Sequence, residues 1–171
     1  IKGRRAVRWD AAGTATTELG NLGLDSSGVT YSRAFAVNDT GTAVGFAYKI
    51  DAGVYKGQRA VRWDAAGTAA TELGNLGLDS SGGTNSYAYA VNDAGTAAGV
   101  SQKYDAAHIL LGNRAVVWGL DGVAIDLNNL MPVANDGTGT WTLTEARAIG
   151  ENGWVAGVGR FTPTGSSAYT R

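Results

Sequence analysis

The chain has 171 residues, 44% of them hydrophobic, with a formal net charge of −1 and no cysteine. Such a length and composition suit one domain with a real core and exclude a disordered chain. The near-zero charge leaves no footprint for nucleic acid or an anionic membrane, and the lack of cysteine excludes disulfides, thiol nucleophiles and Cys-ligated metals. Glycine is abundant (26 residues against 2 prolines) but lacks the triplet period of collagen, so it marks tight turns between short strands. No apolar run approaches the roughly 18 residues of a spanning helix. The sequence opens at Ile1 without Met or a signal-like segment, and so reads as a mature or internal piece of a longer precursor.

In chain order, RAVRW (Arg5 to Trp9) is the first strand candidate and the segment around TELGNL (Thr17 to Leu22) the second. AFAVN (Ala34 to Asn38) is the third and TAVGFAY (Thr42 to Tyr48) the fourth. The spacers DAAGT, LDSSG and NDTGT supply the Asx bonds and positive φ that tight turns need, with NDTG placed to join the third and fourth strands as a hairpin. Val7 and Trp9 share one strand face, while the small Ala34 and Ala36 oppose Phe35 and Val37. Faces that are both partly apolar suit a sheet packed on both sides by neighbouring sheets.

The whole pattern repeats. RAVRWDAAGTATTELGNLGLDSSG from Arg5 returns 54 residues later from Arg59 with a single change, Thr16 to Ala70, and SRAFAVNDTGTAVG returns as SYAYAVNDAGTAAG. A diverged third copy carries RAVVW from Arg114, AIDLNNL from Ala124 and EARAIGENGWVAGV from Glu145. Trp9, Trp63 and Trp118 are equivalent, as are Glu18, Glu72 and Asp126. The units span about 4–57, 58–112 and 113–164 of a single domain, and SSAYTR (Ser166 to Arg171) opens a further one. Four strands per unit predict an all-β, β-propeller-like array of four-stranded blades, three full repeats plus a partial fourth; a β-solenoid is the alternative. Three blades fall short of the usual four to eight, which predicts association with further copies or further repeats.

These motifs resemble the bacterial HAF-type "probable extracellular repeat" proteins, whose units read approximately HAFLW, DLGTLGG and SxAxAIND-G-QVVG. The counterparts here are RAVRW, TELGNLG and SRAFAVNDTGTAVG, with DLNNLMP, WTLTEARAIGENGWVAGVG and SSAYTR at the end. Arg5, Arg59 and Arg114 replace the opening His, and Gly150-Glu151 replaces Asn-Asp. The resemblance implies secretion or surface display and no established activity.

Chemistry-bearing patterns are sparse. The single histidine, His108, lies in a loop-like insert without a nucleophile motif. Glu18, Glu72 and Asp126 repeat in register, which favours a structural bond to an Arg or a turn amide over a glycosidase pair. The NDTG, NDAG and ENG turns lack the clustered acids of a calcium loop, so no metal or cofactor is expected. The repeated Trp suits packing between blades, with a sugar platform as the alternative. The copies differ most in KIDAGVYKGQ with Tyr55, KYDAAHILLGN with Tyr104, and PVANDGTGTW with Asn135, Asp136 and Trp141. Variable loops on a rigid scaffold are where binding concentrates, so these five residues are the candidate ligand-binding set. The expectation is a non-catalytic extracellular structural protein that self-associates. A lectin-like polysaccharide-binding module is the alternative, and a polysaccharide-active enzyme a distant third.

Overall fold

The computed structural model describes residues 3–131 and 138–165. The described chain is all-β, with twelve strands in four antiparallel sheets and one 3-10 turn at Leu127–Asn129. A two-stranded sheet pairs β1 (Val7–Trp9) with β2 (Thr16–Glu18). A four-stranded meander follows: β3 (Ser32–Val37), β4 (Ala43–Asp51), β5 (Val54–Trp63) and β6 (Ala70–Glu72). A second meander comprises β7 (Ser86–Val91), β8 (Ala97–Tyr104), β9 (Leu110–Trp118) and β10 (Ala124–Asp126). The last sheet pairs β11 (Gly139–Ile149) with β12 (Val155–Pro163). Strands adjacent in sequence thus pair antiparallel, unlike the parallel coil-to-coil pairing of a β-helix. No helix of the described residues is long and apolar enough to cross a membrane.

The sheets straddle the sequence units. Each meander begins at the third strand candidate of one unit and ends at the second candidate of the next, so RAVRW from Arg59 completes the sheet opened by Ser32. Two inserts read as loops are largely strand. KIDAGVYKGQ extends β4 and β5 into a long hairpin whose two-residue tip, Ala52 and Gly53, takes positive φ (48° and 79°) as a primed turn requires. KYDAAHILLGN lengthens β8 and β9, leaving a short turn in which His108 has φ 63°.

The first pair of each of the last three sheets carries the same irregularity. The register slips between Ala34 and Ala36, between Ala88 and Ala90, and between Ala146 and Ala148. Phe35, Tyr89 and Arg147 are therefore bulged residues, each opposite a tight approach of two backbones. Gly45, Gly99 and Gly157 make that approach possible, because a Cβ there would collide with the carbonyl oxygens of Arg33, Tyr87 and Glu145.

Three cores lie between successive sheets. Ala6 and Leu19 of the first sheet meet Ala43, Val61 and Trp63 of the second. Val44, Ala60 and Leu73 meet Ala88, Val116 and Trp118 of the third. Ala98 and Ala115 meet Ala146 of the last sheet. Polar bonds repeat across the same gaps: Asn38 Nδ2 donates to Asn92 O (2.9 Å), and Asn92 Nδ2 to Gly150 O (3.3 Å). Arg8 reaches the carbonyls of Gly41 and Ala65, and Arg62 reaches those of Gly119 and Leu120. Gly99→Ala is expected to cost on the order of 3 kcal/mol, because backbone rather than a flexible side chain must yield; the midpoint of urea unfolding reads this loss.

Candidate functional site

Of the five candidate ligand residues, the structure places three, and it does not bring them together. Tyr55 sits near the tip of the β4–β5 hairpin, half exposed, with its ring 4.9 Å from that of Tyr48. Together with Tyr31 and Asp25 these rings border a largely apolar cleft of about 320 Å³. Tyr104 ends β8, and its hydroxyl donates to Gln102 Oε1 (3.3 Å). Trp141, assigned to a loop by its sequence, lies within β11 and packs on Phe161 of β12 at 5.1 Å. Asn135 and Asp136 lie outside the described residues.

The aromatic surface is wider than the variable segments suggested. Tyr31 stacks on Phe46 (5.5 Å), Phe46 meets Tyr87 edge-on (5.4 Å), and Phe35 contacts Tyr89 (5.5 Å) across the gap between the two meanders. Arg33 lies over Phe35 and Arg147 over Tyr89, with guanidinium carbons 5.2 and 4.4 Å from the ring centres. Arg147 also pairs with Glu145. Burial raises the Tyr55, Tyr87 and Tyr89 phenols above the usual tyrosine value, so all three stay neutral at physiological pH. The strand pattern concealed this band, because it arises from neighbouring sheets and its bulged members break period-two alternation.

The repeated acids are tied into ion pairs on the last strands of their sheets. Glu72 takes Lys49 at 2.9 Å and the buried Arg59 at 3.3 Å, and Asp126 takes Lys103 at 2.8 Å; Glu18 reaches Arg5 only at 3.9 Å. The turn acids bond backbone amides: Asp25 and Asp79 each cap their Asp-Ser-Ser-Gly turn, and Asp105 accepts from Ala107 and Ile109. His108 Nδ1 lies 2.8 Å from the carbonyl of Leu78. No group of three or more His, Asp or Glu side chains is placed to hold a metal ion among the described residues.

The three equivalent tryptophans divide. Trp63 and Trp118 are completely buried, and each indole N–H donates to a carbonyl of the preceding sheet, Gly20 at 3.0 Å and Gly74 at 2.8 Å. Trp9 is 62% exposed. The cause is topological. In each meander the Trp-bearing strand is flanked on both sides, whereas among the described residues β1 pairs with β2 alone. Likewise β12, the counterpart of β4 and β8, pairs with β11 alone. Sequence equivalence concealed the difference, since it depends on how the sheets divide the repeat.

No family model matches the chain, and neither does a curated protein or a solved structure.

Asp126 supplies a pH test. Burial alone would raise its pKa, but bonds from the Lys103 ammonium and from the Asn128 side chain and backbone outweigh it and hold the carboxyl below the usual aspartate value. A depressed folded pKa contributes stability that is present above the unfolded value near 3.9 and is lost as pH falls through the folded value. Asp126→Asn should therefore lower stability at pH 7, by about 1–3 kcal/mol. The gap between variant and wild type should narrow progressively as pH falls below about 4, as read by urea midpoints across pH 2–7.

Proposed function

We propose that this chain is a non-catalytic assembly protein: an array of β-propeller-type blades whose role is to associate, at or outside the cell surface. One observation carries the reading. Among the described residues, two four-stranded sheets are flanked by two two-stranded sheets whose outer strands correspond to strands paired on both sides inside the array. An exposed strand edge beside exposed Trp9, Val158 and Phe161 is a strong drive toward pairing. The placement of the acids supports a scaffold role, since Glu72 and Asp126 are engaged by cations of their own sheets. The resemblance to extracellular repeat proteins supports the location. Light scattering over a range of concentrations tests the reading. The apparent mass should rise above 17.5 kDa, as a discrete multiple or a growing polymer. A chain that stays at 17.5 kDa into the millimolar range would overturn it.

A second reading, binding of polysaccharide, is favoured by the cleft of Tyr31, Tyr48 and Tyr55 beside Asp25. Aromatic faces with an adjacent hydrogen-bond acceptor fit the apolar face and hydroxyls of a sugar ring. A glycan titration followed by intrinsic fluorescence should then give saturable binding that Tyr55→Ala weakens at least tenfold. No binding to any glycan would remove this reading and leave the assembly reading intact.

A further inference from the structure

We propose that the outer edges of β12 and β1, which carry no further strand among the described residues, are complementary to each other, so that β12 of one copy pairs with β1 of a second and the two half-sheets form one composite four-stranded sheet. The inference rests on the assembly reading and specifies its interface. The complete sheets supply the register. Ala43, Val44 and Gly45 of β4 pair with Trp63, Arg62 and Val61 of β5, and Ala97, Ala98 and Gly99 of β8 pair with Trp118, Val117 and Val116 of β9. The same relation sets Val155, Ala156 and Gly157 of one copy opposite Trp9, Arg8 and Val7 of the next.

Both ends are shaped for the contact. In the two inner cores a buried Trp lies beside Leu19 or Leu73, which are 1% exposed. Among the described residues the third core lacks the counterparts of both Val61 and Trp63, or Val116 and Trp118: Ala98, Ala115 and Ala146 are buried, while Leu127 and Val155 remain only partly covered. Val7 and Trp9 of a second copy supply those side chains. The backbone position equivalent to Gly20 and Gly74 is Asn128, so the Asn128 carbonyl is the acceptor for the incoming indole N–H. At the other end, an open groove of about 350 Å³ runs between β1 and β3, bordered by Val7, Trp9, Phe35 and Val37. Further along the chain β7 packs on both β4 and β5, and β11 on both β8 and β9. In the composite, β12 fills the groove as β4 and β8 do at their own sites. The contact is head-to-tail, so each copy keeps one free end.

Complementation of two disabled edges tests this. Trp9→Glu disables the head and Val158→Lys the tail, both at exposed positions, and circular dichroism and melting should show each variant folded as wild type. Each alone should remain monomeric, and an equimolar mixture should form a species of twice the monomer mass that grows no further. If one variant pairs with itself, or the mixture stays monomeric while wild type associates, the head-to-tail interface is wrong and only the assembly reading stands. A monomeric wild type overturns both. An edge taken instead by the chain's own residues 166–171 would show as a monomer that associates once those residues are deleted, and also overturns the proposal.

Cysteine pairs in this cysteine-free background test the register. Opposed residues have Cα atoms about 4.5–5.5 Å apart, within disulfide reach, and a two-residue slip adds about 6.8 Å. Arg8→Cys with Ala156→Cys should give a ladder of covalent oligomers on mild oxidation. Arg8→Cys with Val158→Cys should give none; the reverse result would overturn the register.

Discussion

A tryptophan laid across the gap between two sheets is the contact on which the rest of the arrangement depends. Trp63 and Trp118 lie on the third strands of their meanders, donate to the carbonyls of Gly20 and Gly74 in the sheet before, and fill the space left by small residues. Alanine and glycine on the facing strands let the backbones approach closely, and only a large planar side chain then fills what remains. Because that strand belongs to the following sequence unit, no unit can bury its own faces. Each sheet is finished by strands of the following sequence unit, so neighbouring units share a hydrogen-bonded sheet as well as a packed core.

This division explains what the sequence disclosed. The strands, the Asn-Asp-x-Gly hairpins and the two-sided packing were legible because turn chemistry and small apolar residues are local signals. Asn38 and Asn92 bond the amides of Thr42 and Thr96 as such turns do. The grouping of strands into sheets was not legible, since a periodic sequence can be cut at any phase and hydrogen-bond partners decide the cut. The exposure of Trp9 follows from that phase alone. At the hairpin tips, length variation between copies read as loop, while the residues added there, such as Val54 and Tyr55, are strand formers that extended the ladder.

The candidate ligand residues fared according to how local their signals were. Tyr55 was found because it interrupts the repeat. Tyr31, Tyr48 and Tyr87 belong to the regular strands and their surroundings, and became part of one aromatic surface only when separate sheets were set side by side. The acids had the opposite history. Their repetition pointed to a structural duty, and the ion pairs of Glu72 and Asp126 supply one.

The bulges at Phe35, Tyr89 and Arg147 carry a different lesson. At each one, alanines on either side remain the same in all three sheets while the residue between them changes from Phe to Tyr to Arg. The extra residue has no cross-strand partner, so its side chain is released from the constraints of the ladder. The three side chains nevertheless form a continuous row, with Tyr89 touching both Phe35 and Arg147. Each duplication of the unit thus adds one freely chosen letter to a line of surface chemistry, and the line can be rewritten letter by letter while the packing beneath it stays unaltered.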